Sequence, residues 1–272
     1  MYWINGVLTK KISLDVRALH FGDGFFTTAK IYNGKIHLFN WHMERLKVSA
    51  RRLMFNNVNY DILYEEIFQS ILNYNADGII KIIISRINKN KKYGYKSDNY
   101  SDLYRIIRIS PLPKYYSQWF HLGVRLKTSK IRLSRNSFFA GIKHLNRLEQ
   151  VMISYDINND DKADEALVLD TDSNVIECCS ANIFWRQKNQ VFTPSLLYAG
   201  VNGVMRQLII RLLPKLGYSI QEVMVGIERL KSVDEVFITN SLLPLAPVNS
   251  INDYFYTNNE LCNILKNYVI DE

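Results

Sequence analysis

The chain of 272 residues has only three cysteines, Cys178, Cys179 and Cys262. An odd count with two of them adjacent makes a poor disulfide framework, and no cysteine–histidine spacing matches a metal site. Buried, inert thiols in a reducing, cytoplasmic setting are the expectation. Histidine is scarce as well: His20, His37, His42, His121 and His144 include no two at metal-ligand spacing. No apolar run approaches the ~20 residues that a membrane-spanning helix needs. The opening residues, Met1 to Gly6, lack the basic and then apolar regions of a secretory leader. Also absent are G-x-S-x-G, H-E-x-x-H, a Walker loop and G-x-G-x-x-G, so nothing points to a hydrolase elbow, a zinc protease or a nucleotide fold. Internal repeats and low-complexity segments are missing too.

What is present is an ordinary globular composition, 47% hydrophobic and 22% charged, with a net charge of +8. The basic residues are dispersed, and the densest run is Lys89-Asn-Lys-Lys92. Dispersal argues against a nucleic-acid interface, which clusters its cations. The excess reads as solvated surface that also attracts an anionic small molecule.

Periodicity predicts strands over residues 2–8, 27–32 and 35–39, the last two joined by a tight turn at Asn33-Gly34. Helices are predicted over 41–53, capped by Asn40, and over 60–72. A β-branched run over 78–87 pairs with 104–109. Ser110-Pro-Leu-Pro113 then breaks both patterns. This divides the chain into an N-terminal domain (1–110), a linker (111–121) and a C-terminal domain (122–272). The second half reads as strands over 124–133, 165–169, 176–185, 191–193, 219–225 and 235–239. Its helices are predicted over 146–155, 203–213, 227–232 and 259–268. The class is α+β with mixed sheets.

Three features can carry chemistry. Lys143 has apolar neighbours in Phe139-Ala-Gly-Ile142 and Leu145. Desolvation disfavours an ammonium, and a neutral amine can condense with an aldehyde; the local sequence equally suits a lysine that snorkels to water. Glu177 closes an apolar strand, either as a buried acid facing a cation or as an exposed strand end. Gly200-Val-Asn-Gly-Val-Met-Arg206 is a glycine-containing turn opening a helix, which suits a phosphate or a plain structural turn.

Taken together, these segments resemble the fold-type IV pyridoxal-phosphate family, which includes branched-chain and D-amino acid aminotransferases and 4-amino-4-deoxychorismate lyases. The likeness runs through Ile4-Asn-Gly6, Phe21-Gly-Asp-Gly-Phe-Phe-Thr-Thr-Ala29, His42-Met-Glu-Arg-Leu46, Asp164-Glu-Ala-Leu-Val-Leu-Asp170, Glu177-Cys-Cys-Ser-Ala-Asn182 and Gly200-Val-Asn-Gly-Val-Met-Arg-Gln207. The run Ala140-Gly-Ile-Lys-His-Leu-Asn-Arg-Leu-Glu-Gln150 is similar to the lyase branch in particular.

The resemblance implies a two-domain fold, a smaller N-terminal α/β domain and a larger C-terminal one, and a cytoplasmic homodimer carrying pyridoxal 5'-phosphate. It makes Lys143 the lysine that carries the cofactor and shuttles the proton. It sets Glu177 against the pyridine nitrogen. Arg45, Ser241 and the backbone N–H groups of Val201 and Asn202 are implied around the phosphate, with Thr28 beside the reacting carbon. The implied reaction eliminates pyruvate from aminodeoxychorismate, leaving 4-aminobenzoate; a branched-chain or D-amino acid aminotransferase is the alternative. Where the lyases show Gly-Arg-Gly-Tyr, this chain has Lys92-Tyr-Gly-Tyr95, so Lys92 or Arg105 is expected to meet a substrate carboxylate.

Overall fold

The computed structural model describes residues 1–87, 94–96, 102–158 and 162–269. It divides into two units, Met1–Pro113 with Lys143–Asn146, and Lys114–Ile142 with Arg147–Glu272.

The first unit holds β1 (Tyr2–Ile4), β2 (Val7–Leu8), α1 (Arg17–Phe21), β3 (Gly24–Tyr32), β4 (Lys35–Ile36), α2 (Phe39–Arg52), α3 (Tyr60–Tyr74), β5 (Gly78–Arg86) and β6 (Leu103–Ser110). Among the described residues its strands form a sheet in the order β2-β1-β6-β5-β3-β4. Asn33 and Gly34 turn the β3–β4 hairpin with φ of 49° and 71°, as their residue types predict. Asn59 caps α3 by accepting from the Ile62 N–H at 3.1 Å. Asn40 does not cap α2. The chain leaves the hairpin through Leu38 at φ 53°, which serves as the cap residue and puts Asn40 inside the first turn.

Alternation along the strands gives this sheet two distinct faces. Phe25, Ala29 and Ile31 of β3 join Ile80, Ile82 and Ile84 of β5 and Ile107 and Ile109 of β6 beneath the helices. Met43, Leu46 and Ala50 of α2 and Leu63, Ile67 and Ile71 of α3 close over them. Each such buried aliphatic side chain contributes roughly 1.5–3 kcal/mol. The other face carries Phe26, Thr28 and Lys30 from β3, and by strand register Lys81 from β5 and Arg108 from β6.

The second unit holds α4 (Tyr115–Leu122), β7 (Val124–Thr128), α5 (Leu148–Ile157), β8 (Glu165–Leu169), β9 (Val175–Cys178), β10 (Asn182–Gln187), β11 (Gln190–Pro194), α6 (Val204–Leu212), β12 (Ser219–Val223), β13 (Glu235–Thr239), β14 (Ala246–Ile251), β15 (Tyr254–Phe255) and α7 (Glu260–Val269). Among the described residues the strands run β12-β11-β10-β13-β14-β7-β8-β9, with β15 on β14. Parallel pairs (β7–β8, β7–β14, β11–β12) mix with antiparallel ones. The mixed sheets and interspersed helices are those the sequence predicts.

Three expectations need correction. Residues 111–121 are not a bare linker, since they contain most of α4, with Tyr116 buried. The strand predicted over 176–185 is two strands. Cys178 N–H donates to the Ala181 carbonyl at 2.7 Å, closing a turn that no proline or glycine announces. Residues 143–146 belong with the first unit rather than the second.

Candidate active site

Lys143 is fixed by its backbone before its side chain is considered. The Phe26 N–H donates to the Lys143 carbonyl at 2.9 Å, and the Leu145 N–H donates to the Gly24 carbonyl at 3.0 Å. Residues 143–145 thus extend the sheet along the edge of β3 opposite β5. Gly24 permits this: a Cβ there would stand 2.4 Å from the Ile84 carbonyl oxygen and 2.7 Å from a Leu145 methyl. The half-buried Lys143 side chain brings Nζ to 4.8 Å from the centroid of the Phe26 ring, a cation–π contact. Thr28, two residues along β3, projects from the same face as Phe26.

Arg45 lies on α2 within the same unit. It retains some exposed surface, yet its Nε is buried and burial lowers the guanidinium to about 10. It remains a cation at neutral pH, in surroundings where an anion is strongly attracted. His42, one turn earlier, is held well below its usual range by burial, then by Arg45 and His37. Its Nδ1 shares a 2.6 Å hydrogen bond with Thr27 Oγ1.

Arg105 is committed to an ion pair within the first unit. It sits on the helix-covered side of β6, where Nε and Nη2 form a two-pronged pair with Glu66 of α3 at 2.8 and 2.7 Å. The step from Ile107 to Arg105 keeps the inward parity of the strand, opposite to that of Thr28. Lys92 lies outside the described residues.

In the second unit, Glu177 is 5% exposed on β9. Its Oε2 accepts the Val201 N–H at 2.8 Å, and the Arg147 guanidinium lies within its field. The Asn202 N–H donates to the Gly141 carbonyl at 3.1 Å. The two backbone donors expected to cap a phosphate are therefore engaged, one by the acid and one by the segment leading to Lys143. Two residues on, the first turn of α6 begins, and its cap residue Gly203 makes no side-chain capping bond. A Cβ on Gly203 would stand 2.0 Å from Asn182 Oδ1, and Asn182 Nδ2 donates to the Val201 carbonyl at 2.9 Å. Ser241 is half-buried in the turn after β13, which Asn240 ties by accepting the Leu242 and Leu243 N–H groups, each at 2.8 Å.

Two supporting groups escape a reading of the sequence. Asp23 bridges Arg17 at 2.7 Å and Arg86 at 2.6 Å, and Arg17 donates to the carbonyls of Gly94, Tyr95 and Lys96. The Phe21–Ala29 motif thereby anchors the loop that follows Lys92. Buried Glu165 accepts from Ser180 Oγ and from the Ala166 N–H, tying down the turn behind Glu177. Burial raises its pKa while these donors lower it. An aspartate or glutamate in a short motif carries no sign of which backbone it holds.

The model of the family described as amino-transferase class IV matches residues 24–251. The chain belongs to that family. It is 34% identical over 252 residues to an aminodeoxychorismate lyase of Vibrio harveyi, covering 93% of this chain and 92% of that one. The crystal structure of 4-amino-4-deoxychorismate lyase from Pseudomonas aeruginosa superposes with a TM-score of 0.94 at 30% identity, over 100% of this chain and 99% of that one. A D-alanine aminotransferase of Bacillus licheniformis is 26% identical over 249 residues, covering 89% of this chain and 83% of that one. The class IV fold with mixed sheets expected from sequence is thus established, and the likeness to the lyases runs the whole length of the chain.

Proposed function

We propose that the chain is a pyridoxal-phosphate-dependent lyase that converts 4-amino-4-deoxychorismate to 4-aminobenzoate and pyruvate. The observation that carries this reading is Lys143 on the edge of β3 against Phe26, in a chain 34% identical to an aminodeoxychorismate lyase over 93% of its length.

The residues of each unit fit the cofactor. In the first, Lys143 offers the amine and Arg45 a partly buried cation for the phosphate. In the second, Glu177 offers a buried acid held in place by a backbone amide. The first-turn amides of α6, with Ser241 nearby in sequence to the β13 turn, suit the phosphate oxygens. Pyridoxal phosphate, when bound, supplies an electron-accepting ring, and an acid facing its nitrogen keeps that ring effective.

The chain's own groups then have a short sequence of tasks. Lys143 takes the proton from C4 of the substrate. The bond between C3 and the ether oxygen breaks, and the Thr28 hydroxyl relays the proton held by Lys143 to the departing enolpyruvate. The enol becomes pyruvate, and loss of the C4 proton with the C3 substituent leaves an aromatic ring. Substrate and products balance without water, an oxidant or a second substrate. Orientation and fixed charges are the protein's contribution.

The same reading includes a homodimer in the cytoplasm. Support for association comes from α5, where Leu148, Val151, Met152 and Tyr155 are all exposed and follow an i, i+3, i+4, i+7 stripe. Three free cysteines suit a reducing compartment, and no helix among the described residues is long and apolar enough to cross a membrane.

Assay of the purified protein tests the activity. Pyruvate and 4-aminobenzoate should form from aminodeoxychorismate with no keto acid present, and borohydride should remove the visible absorption together with modification of Lys143. Amino-group transfer to 2-oxoglutarate as the main activity would favour the aminotransferases instead.

A further inference from the structure

A polar pair lies in the core between α2 and the first unit's sheet. Thr27 of β3 and His42 of α2 are 0% and 1% exposed. Thr27 Oγ1 and His42 Nδ1 share a 2.6 Å hydrogen bond. Their surroundings are apolar: Phe25, Ala29 and Ile31 on the same face of β3, and Met43 and Leu46 on the helix. A valine has the shape of threonine and would suit this face without a hydroxyl, so packing alone does not account for the pair.

The bond supplies direction. Apolar burial holds a helix against a sheet but is non-directional. A buried hydrogen bond has a preferred length and angle, and a paired polar group in a core specifies one arrangement. The Thr27–His42 bond therefore pins α2 at one point, against rotation about its axis and sliding along it.

Arg45 is three residues further along α2, about 4.5 Å along the axis and on a neighbouring part of its surface. Burial lowers its guanidinium to about 10. Attraction between desolvated charges depends steeply on distance, so a small rotation of α2 alters what an anion gains there. On the opposite face of β3 stands Phe26, whose amide and ring both meet Lys143. Two adjacent residues of one strand thus set two elements: Thr27 the helix with Arg45, and Phe26 the segment with Lys143. A ligand that condenses with an amine at one end and offers a phosphate at the other needs those two elements at a fixed spacing.

We infer that the Thr27–His42 pair positions Arg45, and sets affinity for the cofactor's phosphate by holding α2 in register with the strand that holds Lys143. This rests on the reading of Lys143 as the cofactor's amine and Arg45 as the phosphate's cation. Thr27 and His42 are positioning residues: they act through Arg45.

The test compares two probes on the full chain stripped of cofactor: pyridoxal phosphate, and pyridoxal, which has the aldehyde without the phosphate. Dissociation constants are read from visible absorption. Thr27→Val and His42→Ala should each weaken pyridoxal phosphate by about tenfold, with pyridoxal changed less than about twofold. Thr27→Ser keeps the hydroxyl, and His42→Asn keeps an amide that can give or accept near Nδ1; both should restore most of the loss. Arg45→Gln should weaken pyridoxal phosphate further, and adding Thr27→Val to it should cost nothing more, because the pair acts through the arginine. Equal loss for both probes, no loss for either, or full additivity with Arg45→Gln would overturn the inference and leave the pair a purely structural one. Failure of the underlying reading looks different: the wild type would take up neither probe, or Arg45→Gln would bind pyridoxal phosphate as tightly as the wild type, and the inference would fall with it. Should His42→Ala fail to fold, Thr27→Val and its cycle with Arg45→Gln decide by the same constants.

Discussion

The Val201 amide donates to Glu177 Oε2 at 2.8 Å. The turn therefore orients the acid. Replacing Glu177 with glutamine keeps an oxygen to accept this bond but removes the negative charge. The expected result is a normally folded protein whose kcat is lower by about a hundredfold or more, with circular dichroism and melting temperature close to wild type.

Removal of the Lys143 amine should be more severe. In Lys143→Ala the backbone bonds to Phe26 and Gly24 are preserved, so the sheet should form. Loss of the proton-transfer group should reduce kcat by roughly 10²–10⁴-fold. The borohydride-sensitive visible band should vanish at the same time, and steady-state kinetics with absorption spectra check both.

Arg105 and Glu66 make the opposite prediction. Breaking a partly buried, two-pronged pair leaves Glu66 uncompensated, at a cost of up to about 3 kcal/mol. Arg105→Gln should lower the urea midpoint by a corresponding amount. KM for the substrate should be unaltered in the fraction that remains folded, which a substrate-contacting arginine would not permit.

His42 adds a pH dependence to stability. Its folded pKa is depressed, so between that value and the unfolded one near ~6.5 the unfolded chain binds more protons. Stability therefore rises with pH through this window and declines as pH falls below about 6.5. Urea melts at a series of pH values should show the decline in the wild type, and His42→Gln should flatten it.

The α5 stripe predicts the outcome of disrupting association. A charge at Val151 or Tyr155, such as Val151→Glu, should shift the protein from dimer to monomer in sedimentation equilibrium without altering its far-ultraviolet spectrum.

Much of the fold can be read from local pattern. The β-branched run that became β5, the Asn33-Gly34 turn and the amphipathic helices carry their own signals over a few residues. The Cys178–Ala181 turn and the placement of 143–146 do not, because each depends on a hydrogen bond to a distant strand. The site shows the same division. Lys143, Thr28, Glu177 and Arg45 stand in motifs that a sequence displays. The Arg105–Glu66 pair is not legible because residue type reveals a charge but not which side of a strand it leaves. Arg108, three residues on, has the opposite parity. The partners of the Val201 and Asn202 amides are hidden for a related reason: a glycine-rich turn shows that donors exist, while their directions follow from φ, ψ and neighbouring acids.

Phe26 gives its amide to the Lys143 carbonyl and its ring to the Lys143 ammonium. Main chain and side chain of Lys143 are thus both gauged from a single point on β3. Strand faces alternate with every residue, so this gauge is graduated in steps of two. A one-residue insertion or deletion between Gly22 and Phe26 would turn an inward side chain toward the amine and send the ring into the core. A change of two residues would restore the facing and shift only the distance. Length in this short segment is constrained more tightly than composition, and by parity more than by amount.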